Sequence, residues 1–198
     1  AKKAQAVAAR TFTLKASLTG GKHGDGSVCA DSACCQAYIS PEEYLNQHGA
    51  ESAVEEARAA AEVTSGQVLT YEGTLIEATY FSCSGGKTED ALAVWGTDYP
   101  YLRSVNSPGE EAATHYSDTE FFDAEQFCAY LGIPLQGSPK DWVQNITYTS
   151  GGGVAEARIC GKLFSGVQLR KLLGLRSTSI SMTAAEEGIT VMTKGYGH

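Results

Sequence analysis

No apolar run in this chain approaches the roughly 20 residues that a membrane span needs, and nothing at its start resembles the apolar h-region of a secretory signal. A basic surplus is missing too. The formal net charge is −8 over 198 residues, whereas nucleic-acid binding normally shows a basic face. The acidic pairs Glu42–Glu43, Glu55–Glu56, Glu110–Glu111 and Glu186–Glu187 are scattered rather than massed, and they read as solvated surface. Six cysteines over this length are too few for a disulfide-dense mini-scaffold. There is no internal repeat, no low-complexity segment, no obvious linker and no βαβ rhythm. With 42% apolar and 19% charged residues the chain has an ordinary globular composition, and it is long enough to bury a sizeable core.

Local patterns supply the elements. "AKKAQAVAARTF" predicts an Ala-rich helix over the first twelve or so residues. It reads as the interior of a helix with no cap before it, and "KGYGH" stops without a closing element, so both ends look cut. A glycine-rich loop follows the helix (Gly20, Gly21, Gly24, Gly26). "SPEEYLNQ" predicts a short helix with Ser40 as cap, Pro41 at the first position and acids in the first turn. Ser52 and Glu55 predict a capping box, opening a helix with Val54, Ala57 and Ala61 on one face and an end near Gly66. "QVLTYEGTLIEATYFS" predicts a hairpin about Glu72–Gly73. Ser117 and Glu120 predict a second capping box, with Phe121, Phe122, Cys128 and Leu131 facing inward from the helix it starts. "WVQNITYTSGGGVAEARIC" predicts another hairpin, turning at Gly151 to Gly153. Ser165 caps a Leu-rich helix ending at Gly174, and "STSISM" and "GITVMTK" are the final strands. Helices interleaved with mostly antiparallel hairpins give an α+β class, expected as one continuous compact unit over residues 1–198.

The densest chemistry lies in "KHGDGSVCADSACCQAY", residues 22–38. His23, Cys29, Cys34 and Cys35 have the spacing H-x5-C-x4-C-C. Zinc takes four thiolate or imidazole donors at tetrahedral geometry, and the intervening Gly, Asp and Ser residues give a loop able to wrap one ion. Adjacent ligands such as Cys34–Cys35 are less usual than C-x-x-C, because neighbouring side chains diverge. The residues alone therefore leave three readings open: a zinc site, a disulfide using one or two of these thiols, or unpaired structural thiols. Cys83, Cys128 and Cys160 are far apart in sequence, and Cys128 reads as a small buried residue on an apolar helix face.

Two further stretches carry a resemblance. "AKKAQAVAARTF" resembles the A-L-K-A-Q-A-V-A-A-R-T-Y signature of the stage II sporulation protein D (SpoIID) family. "VLTYEGTLIEATYFSCSGGKTEDALAVWGTDYPYLRSV", residues 68–105, resembles that family's central pattern of a hairpin, Y-x-S-x-S-G-G-x-T, V-W-G and P-Y-L. The ending "GITVMTKGYGH" is similar to the start of its closing G-x-G-H-G-V-G-M-S-Q motif. The resemblance thus runs from the first residue to the last. It implies the core of a peptidoglycan lytic transglycosylase, which cleaves the MurNAc–GlcNAc bond of glycan strands without water and leaves a 1,6-anhydro end, in the service of forespore engulfment. One glutamate would act as acid and then base, instead of the carboxylate pair of hydrolysing glycosidases. That glutamate belongs to an E-M-P motif before the A-L-K-A-Q helix, so the resemblance puts it upstream of Ala1. No glutamate of this chain matches it; Glu55, Glu77 and Glu89 read as a cap, a strand-face residue and a loop acid.

The same resemblance bears on the metal. Clostridial-type members bind zinc through an H-x5-C-x4-H-C pattern after the A-A-R-T helix. His23, Cys29 and Cys35 match it, and Cys34 stands where those members carry histidine. A structural zinc with one histidine and three cysteines is implied, as a brace near the substrate groove with no position open to substrate.

Tyr80, Ser82, Cys83, Ser84, Gly85, Gly86 and Thr88, read alone, make a tight turn; the resemblance makes them a glycan-contacting loop. Arg10 in A-A-R-T is implied as a supporting partner of the missing glutamate, although a surface ion pair would also account for it. His198 falls on the family's G-H position and is implied to line the cleft. A nucleophilic Cys83 is disfavoured because no histidine is placed to activate it. Trp95, Tyr99 and Tyr101 fit either sugar stacking or core packing.

The expected partners are peptidoglycan glycan strands, an amidase that strips stem peptides and the sporulation machinery, with no nucleic acid. The implied location is extracytoplasmic, with a membrane tether in an N-terminal segment outside this chain. A non-catalytic wall-binding module that enhances an amidase is the main alternative, and a zinc-stabilised interaction domain is the blander one.

Overall fold

A computed structural model describes residues 1–32, 34–114 and 116–196. The chain divides into two compact units, residues 1–80 and 81–198.

In the first unit, helix α1 (Lys2–Thr19) continues past Phe12 as far as Gly20, whose left-handed backbone (φ +84°) ends it. Within it Thr11, Thr13 and Thr19 return their hydroxyls to the carbonyls of Val7, Ala9 and Lys15. Helix α2 (Pro41–His48) starts as the sequence expects, with the Ser40 hydroxyl accepting from the Glu43 N–H at 3.1 Å.

Helix α3 (Glu51–Val63) differs from expectation at its start. It begins one residue before Ser52, so the Ser52–Glu55 capping box does not form, and Ala50 caps it without a side-chain bond. Glu51 in the first turn supplies charge of the favourable sign instead. The face also shifts: Ala60 is buried and Val54 half-buried, whereas Ala57 and Ala61 are exposed. The cause is packing of the Ala60 face of α3 against α1. The hairpin of β1 (Thr70–Tyr71) and β2 (Thr74–Leu75) turns at the expected Glu72–Gly73, both with positive φ (49° and 80°), as a type I′ turn requires. Its ladder is only two residues long on each side.

The second unit opens with a loop and the short helix α4 (Ala91–Trp95), which the sequence reading did not anticipate. Strand β3 (Ser117–Asp123) replaces the expected second capping box. Ser117 and Glu120 lie inside a strand paired over its whole length with the last strand, Ser117 opposite Lys194 and Asp123 opposite Gly188. The period is therefore two, so Phe122 is buried and Phe121 is turned outward, 55% exposed. The helix proper, α5 (Ala124–Leu131), is capped by Asp123, which accepts from the Gln126 N–H at 2.8 Å.

Strands β4 (Val143–Tyr148) and β5 (Val154–Ile159) form the predicted hairpin, and an unforeseen β6 (Lys162–Phe164) extends it in the order β4-β5-β6. Helix α6 (Gly166–Leu173) carries a full reciprocal capping box between Ser165 and Gln168 and ends at Gly174 (φ +69°). Strands β7 (Ser179–Ala184) and β8 (Gly188–Lys194) close the second sheet, antiparallel in the order β3-β8-β7. Both larger sheets are antiparallel, and the α+β class stands.

The core of this unit is built from Phe122, Phe127, Leu131, Trp142, Ile159, Leu169, Ile180, Ile189 and Val191. Trp142 stacks on Phe127 with centroids 6.2 Å apart and satisfies its indole N–H on the Gln136 carbonyl at 2.8 Å. Cys128 is buried in the core, as expected.

Candidate functional site

The histidine–cysteine loop is built by glycine. After α1 the chain doubles back so closely that a Cβ on Gly26 would lie 2.8 Å from the Ser17 carbonyl oxygen, and the Gly26 N–H bonds the Gly20 carbonyl at 3.0 Å. Further along, the N–H groups of Cys34 and Cys35 both donate to the Asp31 carbonyl, at 3.1 and 2.8 Å. That shared acceptor bends the backbone so that the two adjacent thiols fall on one side, with the Sγ atoms 3.9 Å apart. His23 Nε2 lies 3.7 Å from Cys34 Sγ and 3.4 Å from Cys35 Sγ. The four donor atoms of His23, Cys29, Cys34 and Cys35 all lie within 4.8 Å of one another.

These distances can be set against coordination geometry. Zn–S of about 2.3 Å and Zn–N of about 2.0–2.1 Å imply tetrahedral edges of roughly 3.8 Å between sulfurs and roughly 3.6 Å between sulfur and nitrogen. The three separations given above fall on those edges. The same 3.9 Å is far from the roughly 2.05 Å of a disulfide, and the three thiols remain available beside the imidazole, since the cysteines are free. The cluster could hold a metal ion.

Its electrostatics point the same way. Cys29 is lowered to about 6, first by the backbone N–H of Asp31 and then by His23, against a small opposing effect of burial. Cys34 is raised to about 11, first by its hydrogen bond to Cys29 and then by that to Cys35. One thiolate on Cys29 thus makes a second on Cys34 unfavourable, and a bound cation would relieve that repulsion.

Arg10 lies away from this cluster. Its Nη1 donates to the carbonyls of Thr64 (2.7 Å) and Gln67 (3.0 Å), and its Nη2 to that of Ala61 (3.0 Å). The guanidinium therefore caps the C-terminal end of α3. Glu77 is ion-paired with Lys15 on α1, and Glu55 is exposed.

The "YFSCSGGKT" residues separate into surface and interior. Tyr80 belongs to the first unit, where its hydroxyl donates to Gln36 Oε1 at 2.7 Å. In the second unit Ser82 is exposed, while Cys83 and Ser84 are 2% and 3% exposed. Cys83 forms an antiparallel bridge with Tyr196, its N–H and carbonyl both paired, at 3.1 and 2.8 Å. Gly85 must be glycine: at φ +79° a Cβ would lie 2.9 Å from the Lys194 carbonyl carbon. Tyr116 donates its hydroxyl to the Gly85 carbonyl at 3.2 Å, and Thr88 Oγ1 accepts from the Val105 N–H at 2.9 Å. His198 lies outside the described residues. Trp95 is on the surface, 54% exposed, and the Tyr99 and Tyr101 rings pair with centroids 5.7 Å apart.

Four residues around this loop were not singled out as site residues in the sequence: Glu89, Glu110, Tyr116 and Gly195. Gly195 packs against the loop so tightly that a Cβ there would lie 2.8 Å from the Ser84 carbonyl carbon. The only local hint was the recurrence of glycine in "KGYGH".

Comparison with known proteins bears on what this arrangement serves. The family described as SpoIID, stage II sporulation protein, matches residues 1–71. The chain is 39% identical over 201 residues to stage II sporulation protein D of Bacillus subtilis (strain 168), an alignment covering 99% of this chain and 58% of that protein. It is 38% identical to the stage II sporulation protein D of Bacillus amyloliquefaciens, with the same coverage. It is also 36% identical over 249 residues to the amidase enhancer of Bacillus subtilis (strain 168), covering 99% of this chain and 33% of that protein. The chain therefore spans somewhat more than half the length of the SpoIID relatives.

Proposed function

Because the chain belongs to the stage II sporulation protein D family, we propose that it is the core of an extracytoplasmic sporulation protein that binds peptidoglycan glycan strands. In the whole protein this core serves a lytic transglycosylase. The observation that carries the reading is the SpoIID alignment over 99% of the chain. The exposed parts of the loop from Ser82 to Thr88 contact glycan, with its glycines admitting the sugar close to the backbone and its hydroxyls meeting acetamido and ring oxygens. Cys83 and Ser84, being buried, support that surface from beneath. Tyr80 in the first unit, through its phenol, and His198, through its imidazole, are each assigned a glycan contact of their own on this reading.

His23, Cys29, Cys34 and Cys35 hold a structural zinc ion. Four protein donors complete a tetrahedral shell, so no position is open to substrate. Zinc there ties the end of α1 to the 29–35 segment and does no chemistry on the glycan. Arg10 holds the helix pair α1–α3 on which these segments stand.

The acid/base glutamate of the family's E-M-P motif is not among these 198 residues. This chain therefore binds glycan without cleaving it. Incubation with glycan strands stripped of stem peptides tests this: mass spectrometry finds no 1,6-anhydro ends above the untreated control. Release of anhydro ends by this chain would overturn the assignment of catalysis to residues outside it. No helix of the described residues is long and apolar enough to cross a membrane; on this reading a membrane tether is proposed for the whole protein.

A second reading is favoured by the amidase-enhancer relative: the core presents the wall to a partner amidase. An amidase assay on intact sacculi, with and without this chain, separates the two. Stimulation without any anhydro product from the whole protein supports the enhancer.

A further inference from the structure

The Ser84–Gly86 loop holds a conformation that its glycines do not dictate, since glycine is the most permissive residue. Gly85 at φ +79° and Gly86 at φ +105° aim the N–H groups of Ser84 and Gly86 at one point. Glu110 Oε2 occupies that point. It accepts from the Ser84 N–H at 2.8 Å, from the Gly86 N–H at 3.1 Å and from the Ser84 hydroxyl. The Ser107 hydroxyl also bonds this carboxylate, and the Ser107 N–H bonds the Gly86 carbonyl at 3.0 Å. Converging backbone N–H groups of this kind form an anion-binding concavity. Here the chain supplies the anion itself, from a short 3-10 turn (Glu110–Ala112) launched by Pro108 and Gly109.

The far end of the loop is fastened in the same way. The Thr149 hydroxyl lies 2.9 and 2.8 Å from the two oxygens of Glu89, and the Gly153 N–H donates to Oε1 at 2.6 Å. The glycines of the 151–153 turn leave room for that carboxylate, because a Cβ on either Gly151 or Gly153 would lie 2.6 Å from one of its oxygens.

Glu110 does not suit proton transfer. A general acid must carry a proton near the working pH, and this carboxylate is engaged by several donors that favour the ionised form. For Glu110 burial pushes the carboxyl up, but the Ser84 hydroxyl and the backbone and Ser107 donors outweigh it and hold it below the usual range.

We infer that Glu110 and Glu89 are positioning residues, internal carboxylates that hold the S-G-G-K-T-E loop in the one shape that presents its surface to glycan. The inference rests on the reading above that this loop contacts glycan. Glu110 is the more consequential, since it organises the two glycines; Glu89 fixes where the loop rejoins the β4–β5 turn.

The test uses the 198-residue chain, with Glu110→Ala, Glu110→Gln and Glu89→Gln. In 1H–15N spectra, Glu110→Ala shifts the Ser84 and Gly86 amides and speeds their hydrogen exchange at least tenfold, while β-sheet amides stay in place. Sodium formate, a small carboxylate able to refill the concavity, returns both amides toward their wild-type positions. The affinity for stripped glycan strands falls about tenfold in Glu110→Ala, as expected for losing a charged hydrogen-bond cluster, and formate restores part of it. Glu110→Gln, which keeps shape and an acceptor oxygen, gives the same changes at reduced size and serves if the alanine variant does not fold. Glu89→Gln moves the Gly153 amide, and an unmoved Gly153 amide in that folded variant overturns the role of Glu89. Unchanged Ser84 and Gly86 amides in folded Glu110→Ala overturn the inference, as does unchanged glycan affinity where the wild type binds. A wild type that does not bind glycan overturns the proposed function instead, and the amide and formate results still decide the role of Glu110.

Discussion

Arg10→Ala is the perturbation whose cost follows most directly from geometry. The guanidinium spans the last turn of α3, meeting the carbonyls of Ala61, Thr64 and Gln67 at 2.7–3.0 Å and Thr64 Oγ1 at 3.4 Å. The Ala61 carbonyl lies in the last turn of α3, where intrahelical N–H donors run out, and the Thr64 carbonyl also accepts from the Gln67 N–H at 3.1 Å. Bonds to a charged donor contribute about 1.5–3 kcal/mol each when buried, but water reaches part of this site, so about 0.5–1 kcal/mol per carbonyl is the apt figure. The positive charge at a helix C-terminus adds roughly 0.3–1 kcal/mol. Together these give a loss of about 2–4 kcal/mol, or a fall in Tm of roughly 4–16 °C for a chain of this size. Arg10→Lys keeps the charge but not the planar fork, and recovers less than half of the loss. Thermal and urea unfolding followed by circular dichroism measure both variants. A Glu-free readout matters here, because the resemblance ties Arg10 to a glutamate outside this chain, whereas the stability effect needs none. An alanine variant within 0.5 kcal/mol of wild type would refute the capping role.

Metal loading gives a second set of outcomes. Elemental analysis finds one zinc per chain, and Cys35→Ser or His23→Ala brings it below half; a chelator lowers the melting temperature of the native chain but not of these variants. Because the metal-free cluster keeps Cys34 protonated, with its thiol at about 11, zinc binding releases at least one proton near pH 7, and titration calorimetry in buffers of different ionisation enthalpy counts it. Apparent affinity accordingly rises with pH. Gly195→Ala destabilises by roughly 2 kcal/mol or more, since the new Cβ meets the Ser84 backbone at a positive φ of 86°, and denaturant unfolding reads this directly. Leu169→Ala empties a fully buried core position and lowers stability by about 2–5 kcal/mol in the same experiment.

What the sequence disclosed was local. The Ser40 and Ser165 caps, the Glu72–Gly73 turn and the glycine at 174 depend on residues a few positions apart, and each forms as the pattern predicts. Ser117 and Glu120 make an equally good local box, yet they are taken into β3 by pairing with β8, some seventy residues away, which a window on the sequence does not contain. The Ser52 box was lost to a shift of one residue at the start of α3. The histidine–cysteine cluster was legible because its four donors are close in sequence and their spacing constrains their meeting. Glu89 and Glu110 were invisible as clamps for the opposite reason. Their acceptors face donors about 25 and 60 residues distant, at Ser84–Gly86 and Thr149–Gly153, and a glutamate beside another acid reads as surface until its partner is known. The motifs of the A-A-R-T helix and the S-G-G loop carried the family, and the alignment over 99% of the chain agrees with them.

The central claim is that this core recognises wall glycan, and cosedimentation with purified glycan strands freed of stem peptides tests it most directly. The account predicts that the zinc-loaded chain pellets with the strands, saturably and without shortening them, and that soluble fragments of the same glycan compete it off. A chain that stays in the supernatant at every glycan concentration, while folded and zinc-loaded, would contradict it.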